Sequence, residues 1–483
     1  PMLNDSETRH KSSLFSGGVD WISIFLYAGL VAVGWLSICA ASYDETSLQP
    51  FSFSHFYIKQ ILWIGLSFAL ALVVMLLDGK YYHMLAYPAY VVSLLILIGT
   101  LFFGKTVNGA KAWIEFGAFS IQPVELMKIA TALALARVMS SYTFSIRRTS
   151  DLLRVVAIIG IPLIIIVLQN DTGSGIVLCS FIFVLYREGL NKWLCIPILL
   201  IAALFIGSFV LTRMTMLVLM ILICVISEAA MNGMWRSRVR YLAALALAAE
   251  LLYVLVNFVF GASLSAYASL LTVTLLSLVV VVVYAFRSNL RNIFISVAMF
   301  VGAMIFLPTT DYIFNKILQP HQQDRIYSFL GIKNDPLGID FNVNQSKIAI
   351  GSGGMFGKGF LGSTQVKYNF VPENHTDFIF CTVGEEWGFL GCLIVLGMYC
   401  ALILRLMRMG ERQGEPFGRI YCYCVAAILL FHLFVNVGMT IGLFPVMGIP
   451  LPFMSYGGSS LMAFTLLLFI AIRFDASRRR YEE

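Results

Sequence analysis

One polar interval of this chain, residues 308–377, separates long apolar segments and contains a concentration of carboxylates and glycines. Polar, glycine-rich stretches of this length are uncommon in compact proteins and are usually functional where they occur. Asp335, in the sequence Asn-Asp-Pro-Leu-Gly, could accept a proton from a hydroxyl nucleophile. The alternative is that Asp-Pro-x-Gly only forms a turn, for which Asp and Gly are typical residues. Competing carboxylates in the same interval are Asp311, Asp324, Asp340 and Asp377.

A second group of ionisable residues lies at the start of an apolar segment. Glu125 and Lys128 are three residues apart in QPVELMKIA, so they face the same side of a helix, and Pro123 suits its first turn. Ionisable residues inside a membrane span usually face a partner or a water-filled cavity. Two compatible interpretations stay open, a structural ion pair that braces the bundle and a contribution to a functional site.

Several cations and a glycine-rich run could bind a diphosphate. Lys111 and Trp113 lie in NGAKAWI, Asp171 lies in LQNDTGSG, and Lys358 lies in GSGGMFGKG. Glycines allow a close approach of backbone donors to an anion. Their spacing here is not that of a phosphate-binding P-loop, so the glycines alone are a weak signal.

Histidine and cysteine patterns do not indicate a resident metal. His375, in PENHTDF, is the one histidine for which we predict a role, and no second histidine stands at the spacing of zinc ligands. The nine cysteines form no CxxC pair, so we expect buried, inert thiols. We therefore predict no certain cofactor, although a divalent cation, Mg²⁺ or Mn²⁺, could assist the chemistry.

The composition is that of a protein with many membrane spans. Only 12% of the 483 residues are charged, about half the usual share of a soluble domain, and the mean hydropathy is +0.85. Basic residues cluster at the ends of apolar segments, as membrane topology requires, so the net charge of +7 does not indicate nucleic acid. The first apolar run, residues 21–41, is too long for a cleaved signal and is expected to be an anchor.

About fourteen spans are predicted from the apolar segments, most of which have about 18 or more residues, enough to cross a bilayer. They cover residues 21–42, 57–77, 84–103, 122–140, 154–169, 174–187, 193–211, 214–229, 240–260, 266–286, 291–308, 378–404, 418–436 and 458–473. Basic residues follow the even-numbered spans, which places both termini in the cytoplasm and residues 104–121, 308–377 and 436–457 at the outer face. Twelve spans remain an alternative if residues 193–229 form one broken helix.

Residues 436–457 are apolar but unsuited to a helix. They contain Pro445, Pro450 and Pro452 among several glycines, and proline removes a helical hydrogen bond and clashes with the preceding turn. Irregular backbone at membrane depth persists only where it is buried in protein or lines a cavity. We predict a re-entrant or interfacial element that caps a cavity.

Four motifs, in order along the chain, resemble the SEDS family of shape, elongation, division and sporulation proteins. They are QPVELMKIA, NDTGSG, the run from Asp335 to Gly391, and NVGMTIGLFPVMGIPLPFMSYGGSS. IAIGSGG, LGSTQ and the lack of a lysine at Met447 resemble the elongation branch more than the division branch. The chain departs from the family pattern at Ala112 and Asn170, where arginine and proline are usual.

The resemblance implies an inverting peptidoglycan glycosyltransferase that polymerises lipid II on the outer face of the cytoplasmic (inner) membrane. The family's essential aspartate falls on Asp335. The implied partners are lipid II, the growing glycan strand and a class B penicillin-binding protein that crosslinks it. Predicted substrate contacts are Lys111, Trp113, Glu125, Lys128, Asp171, Gln345, Ser346, Lys358, His375, Asp377, Ser455 and Tyr456. A lipid II flippase and a non-catalytic scaffold of the wall-synthesis complex remain alternatives.

The expected architecture is an all-α polytopic membrane protein, with a ten-helix SEDS core and about four extra helices. We expect tails at residues 1–20 and 474–483, core helices at 21–192 and 378–473, extra helices within 193–290, a further helix at 291–308, and an extracytoplasmic catalytic loop at 309–377.

Overall fold

The computed structural model describes most of the chain, in two compact units. The described residues are 18–42, 55–107, 109–116, 119–190, 211–232, 235–259, 263, 265–288, 297–298, 300–302, 304–305, 309–310, 312–332, 340–368 and 370–477. One unit comprises residues 1–190 and 334–483, and the other comprises residues 191–333. The boundary at residue 333 therefore falls inside the predicted loop 309–377.

Helices dominate both units. In chain order they are α1 (Trp21–Ser42), α2 (Phe56–Leu76), α3 (Gly79–Phe103), α4 (Pro123–Met139), α5 (Thr149–Leu168), α6 (Thr172–Leu178), α7 (Phe181–Arg187), α8 (Arg213–Asn232), α9 (Trp235–Val254), α10 (Ala266–Ser288), α11 (Pro320–Phe329), α12 (Phe341–Ser352), α13 (Ile379–Glu411), α14 (Pro416–Thr440) and α15 (Gly458–Ser477). Single π-helical turns occupy Leu255–Val259 and Ile313–Ile317. The predicted all-α polytopic fold is confirmed.

A small antiparallel sheet joins α3 to α4. Its strands β1 (Lys105–Val107), β2 (Ala110–Phe116) and β3 (Phe119–Ile121) are arranged in the order β1-β2-β3. Pro123 occupies the first turn of α4, where its missing N–H costs no helical hydrogen bond, as the sequence predicted.

Nine helices in the described part of the chain are long and apolar enough to cross a membrane. The predicted segment 174–187 is divided into α6 and α7 by a turn at Cys179–Ser180. The predicted span 193–211 lies almost wholly outside the described residues, and only parts of 291–308 are described. The total of fourteen spans therefore stays a prediction.

The centre of the first unit is formed by α14 and α15. In their most apolar windows, 78% of α14 and 72% of α15 residues are buried, against 22% for α2 and 17% for α3. Nearly all residues of α4 are also buried. The outer helices expose large apolar side chains, as lipid-facing helices do.

The irregular segment near the C-terminus is shorter than the sequence indicated. Helix α14 continues through Asn436 to Thr440, so the non-helical backbone covers residues 441–457 rather than 436–457. Its second half is buried, with Ile449 and Met454 almost fully covered by protein. We call residues 441–457 the proline segment.

The second unit has its own core. Helices α8, α9 and α10 pack through buried apolar residues that include Met216, Met220 and Leu245. A cavity of about 80 Å³ lies among them, lined mainly by apolar side chains such as Cys224 and Phe300.

A close backbone approach fixes α1 against the proline segment. A Cβ atom added at Gly34 would lie 2.5 Å from the Met454 Cα atom and 2.8 Å from the Met454 carbonyl oxygen. Those are backbone atoms, so they cannot rotate away as a side chain could. Only glycine allows α1 to pack at this distance.

We expect Gly34→Ala to lower the free energy of unfolding by about 1–3 kcal/mol, the usual cost of overpacking. The matched control is Gly65→Ala on α2, where no atom lies within 4 Å of the added methyl group. There, the higher helix propensity of alanine should raise stability by up to about 1 kcal/mol. Thermal unfolding of both variants in detergent tests the contact, and equal stability of the two would contradict it.

Candidate functional site

Three consecutive carbonyl groups of the PENHTDF motif are held by the C-terminal part of the chain. The backbone N–H of Tyr456 donates to the His375 carbonyl at 2.8 Å, and Ser455 Oγ donates to the Thr376 carbonyl at 2.7 Å. Asn436 Nδ2 donates to the Asp377 carbonyl at 2.8 Å. Two motifs that are about 60 to 80 residues apart in sequence are thus joined, which brings four of the predicted site residues together.

Four consecutive carbonyl groups of the proline segment, those of residues 449–452, each have a hydrogen-bond donor. Asn436 Nδ2 donates to Ile449 O at 2.8 Å, and His432 Nδ1 lies 3.0 Å from Pro450 O. The Ser455 N–H donates to Leu451 O at 3.0 Å, and the Tyr399 hydroxyl donates to Pro452 O. Because an unpaired buried carbonyl is costly, these donors explain how an irregular backbone is stable here.

The His375 side chain is an aromatic contact surface. Its ring stacks on Phe56 with centroids 4.4 Å apart, and the Tyr456 ring lies 5.8 Å away. Burial lowers the pKa of His375, and the neighbouring Glu373 carboxylate opposes this only in part. The imidazole is therefore neutral at neutral pH.

Helix α12 is attached to the same end of α14. Ser346 is fully buried and its Oγ donates to the Thr440 carbonyl at 3.0 Å. Gln345 is half-buried beside it. Asp335 lies outside the described residues, a few positions before α12 begins at Phe341. The structure thus fixes the element that follows Asp335, while the role of Asp335 stays a prediction.

Lys358 is held by a carboxylate that sequence reasoning missed. Glu385 is fully buried at the start of α13, and its Oε1 lies 2.7 Å from Lys358 Nζ. Glu385 also accepts from the backbone N–H groups of Thr364, Gln365 and Val366 at 2.8 to 3.0 Å. One carboxylate therefore organises the loop 358–366.

The adjacent Glu386 binds the same loop. Its Oε1 accepts from the Leu361 N–H at 3.0 Å and from Ser363 Oγ at 3.4 Å. Two neighbouring acids in GEEWGFLG, at the edge of an apolar segment, are a costly combination that could have marked this position in the sequence. In the described part of the chain, no three His, Cys, Asp or Glu side chains are grouped as metal ligands.

The glycine-rich run packs against α13. An added Cβ at Gly353 would lie 2.0 Å from the Gly384 carbonyl oxygen, and one at Gly357 would lie 2.0 Å from that of Glu386. Gly388 has φ +65° at the kink of α13, and its Cβ would meet the Gly357 nitrogen. These glycines therefore permit close contact between the backbone of the glycine-rich run and that of α13. Their use in anion binding stays a prediction.

Lys128 is enclosed in the bundle, with its side chain 1% exposed. Its Nζ lies 2.8 Å from Glu125 Oε1, 3.1 Å from His432 Nε2 and 5.1 Å from the centre of the Phe464 ring. The predicted Glu125–Lys128 contact is present, and His432, for which we predicted no role, is its third member.

Lys111, Trp113 and Asp171 lie around the small sheet. Lys111 Nζ donates to the carbonyl of Phe102 at the end of α3, at 3.0 Å, and half-buried Trp113 pairs with Lys105 in the β1–β2 register. Asp171 accepts from the Ser174 N–H at 3.2 Å, which caps α6, and from Gln122 Nε2 at 3.0 Å.

The turn after Asp171 also touches the proline segment. An added Cβ at Gly173 would lie 2.1 Å from the Met447 carbonyl oxygen. The NDTGSG motif thus lies against the same segment as PENHTDF does.

Comparison with known proteins agrees with the motifs. The model of the FtsW/RodA/SpoVE family, described as cell cycle proteins, matches residues 20–220 and 214–480. The peptidoglycan glycosyltransferase RodA of Treponema pallidum is 32% identical over 442 residues, which are 92% of this chain and 94% of that protein.

Solved structures show the same fold. One chain from a peptidoglycan synthase complex that coordinates polymerization and crosslinking has a TM-score of 0.57 and 26% identity, and covers 96% of this chain and 99% of its own. The rod shape determining protein RodA of Thermus thermophilus has a TM-score of 0.54 and 23% identity, with 95% of this chain and 97% of its own covered.

The SEDS resemblance of the four motifs is thereby confirmed. The family match extends from the beginning of α1 to the end of α15, with the region of extra helices inside its range. The chain belongs to the FtsW/RodA/SpoVE family of cell cycle proteins.

Proposed function

We propose that this protein is a peptidoglycan glycosyltransferase that polymerises lipid II into glycan strands during cell elongation and shape maintenance. Its relative from Treponema pallidum, aligned over 92% of this chain, has that enzymatic name. The observation that carries the proposal is the set of hydrogen bonds by which Asn436, Ser455 and Tyr456 hold the carbonyls of residues 375–377. They join two of the family motifs within one helical unit.

Asp335 acts as the general base. Its carboxylate takes the proton of the acceptor 4-hydroxyl group as that oxygen forms a bond to the anomeric carbon of the donor sugar. The bond from that carbon to the diphosphate breaks, and undecaprenyl diphosphate leaves. An α-linked diphosphate gives a β-1,4 bond by one inverting displacement, so no covalent intermediate on the enzyme is needed.

The lysines divide into two roles. Lys128 has three partners inside the bundle, so it positions other groups. Lys358, with 27% of its side chain exposed, and half-buried Lys111 can face a diphosphate while they keep their partners. Cations placed where charge develops on the leaving group stabilise the transition state.

We assign the site to the outer face of the inner membrane, with both termini in the cytoplasm. Arg405 at the end of α13 pairs with Asp20 before α1 at 2.7 Å, and Arg412 pairs with Asp20 and with Asp475 at the end of α15. The three helix ends therefore lie on one side of the unit. Their basic character favours the cytoplasm for that side.

A class B penicillin-binding protein is the proposed partner, which crosslinks the glycan strands made here. The similar chain from a solved peptidoglycan synthase complex that combines polymerization with crosslinking supports this assignment. Lipid II enters from the bilayer, so its prenyl chain stays between lipid-facing helices.

We expect Asp335→Asn to reduce the polymerisation of labelled lipid II by at least about 100-fold, because the amide cannot take a proton. Asp340→Asn, in the same loop, should retain the wild-type rate. The assay uses purified protein in nanodiscs, with and without Mg²⁺ and the matching transpeptidase. Glycan synthesis by Asp335→Asn at the normal rate would refute the catalytic assignment and favour a scaffold.

We expect Lys128→Met to lower the free energy of unfolding by about 3–5 kcal/mol, because it leaves the Glu125 carboxylate buried without its cation. The double variant Glu125→Gln/Lys128→Met removes both charges and should recover much of this loss. Thermal unfolding measures stability, and the lipid II assay at a temperature where all variants are folded measures activity. A Lys128→Met protein as stable as wild type would argue against the buried pair.

We expect Glu385→Gln to release the loop 358–366, since the amide cannot serve all the donors that now reach both carboxylate oxygens. Hydrogen exchange of that peptide should rise, and the polymerisation rate should fall by at least about tenfold. The control is Glu411→Gln on the same helix, whose exposed ion pair with Arg187 should contribute little. Unchanged exchange of residues 358–366 would exclude this positioning role.

A further inference from the structure

His432 is a buried polar residue that the proposed mechanism does not use. It lies on α14 with 1% of its surface exposed. Its ring bridges two elements, because Nε2 lies 3.1 Å from Lys128 Nζ on α4 and Nδ1 lies 3.0 Å from the carbonyl oxygen of Pro450. The Phe464 ring on α15 packs against the imidazole in a T-shaped arrangement, with the two ring centroids 4.8 Å apart.

The two neighbours determine the state of the imidazole. A carbonyl oxygen can only accept a hydrogen bond, so Nδ1 must carry a proton. A lysine ammonium can only donate, so Nε2 must present its lone pair. His432 is therefore neutral, in the Nδ1–H tautomer.

His432 acts together with Asn436, four residues later on the same face of α14. Asn436 Nδ2 contacts Ile449 O and His432 Nδ1 contacts Pro450 O, so one helix face holds two consecutive carbonyls. Asn436 also donates to the Asp377 carbonyl. The proline segment and PENHTDF are thus set in place from one helix.

The proline segment depends on such side chains because its irregular backbone forms no regular hydrogen-bond ladder and its prolines donate nothing. Pro445, Pro450 and Pro452 have no N–H group. Loss of the His432 donor would leave Pro450 O buried without that partner, which favours movement of the segment toward water or another donor.

We propose that His432 is a positioning residue for glycosyl transfer. It connects the buried Glu125–Lys128 pair to the carbonyl of Pro450 and so holds the proline segment in place at the site. The inference rests on the proposed function. It assigns His432 no contact with the reacting sugars.

Two substitutions separate the two ends of the imidazole. The amide nitrogen of His432→Asn can occupy the place of Nδ1 and retain the bond to Pro450 O, but the side chain is too short to reach Lys128. His432→Gln reaches toward Lys128 and loses the Pro450 bond. His432→Leu loses both. Ile420→Ala, a buried residue about 18 Å away on α14, is the control for packing loss.

We expect kcat for lipid II polymerisation to fall by at least about tenfold in His432→Leu and His432→Gln, with KM changed less, because a displacement near 1 Å can cost that much. His432→Asn should retain most of the rate. Hydrogen exchange of residues 441–457 should increase in the Leu and Gln variants and stay near wild type in Asn and in Ile420→Ala.

Equal effects of Asn and Gln on rate and exchange would overturn the role through Pro450, as would a folded His432→Leu protein with normal kcat. If His432→Leu does not fold, the comparison of His432→Asn with His432→Gln still tests the role through Pro450. Absence of polymerisation in the wild type would refute the proposed function, whereas the exchange measurement tests the contact with Pro450 independently.

Discussion

The candidate site depends on the pairing of backbone carbonyls in an irregular segment within a membrane bundle. Water is scarce there, so each unpaired carbonyl would cost several kcal/mol. The carbonyls of residues 449–452 all have donors. Three are side chains, Asn436 and His432 on α14 and Tyr399 on α13, and the fourth is the Ser455 N–H within the segment. Three of the four donors come from helices of the core, so these helices hold the segment in a fixed position.

The same constraint explains the buried charges. Glu125, Lys128 and Glu385 are nearly inaccessible, and a charge in such a place is tolerated only with a partner and hydrogen bonds. Glu385 accepts hydrogen bonds from backbone N–H groups of the loop 358–366. Lys128 contacts the Glu125 carboxylate, the His432 imidazole and the face of the Phe464 ring. Each buried charge thus connects a helix to an element of the site.

The sequence was sufficient for features that are local. Apolar runs predicted the long helices, Pro123 predicted the start of α4, and the prolines predicted irregular backbone. The end of α14 at Thr440 was missed because residues 436–440 contain no proline and continue the helical hydrogen bonds. The His432–Lys128 contact was missed because 304 residues separate the partners. Glu385 was missed because it lies within residues 378–404, which were counted only as an apolar span. Asp335 was predicted from its motif and from the family resemblance, and it lies outside the described residues.

The ion pairs at the helix ends also limit how the extra helices are arranged. Asp20 and Asp475, near opposite ends of the chain, are both joined to Arg412, so the chain crosses the membrane an even number of times between them. Helices inserted in pairs satisfy this condition, and one inserted crossing does not. The predicted totals of fourteen and twelve spans both meet the condition, whereas an odd total would place Asp20 and Asp475 on opposite sides of the membrane. If the other predicted spans are correct, the number of extra helices predicted in region 193–290 must therefore be even.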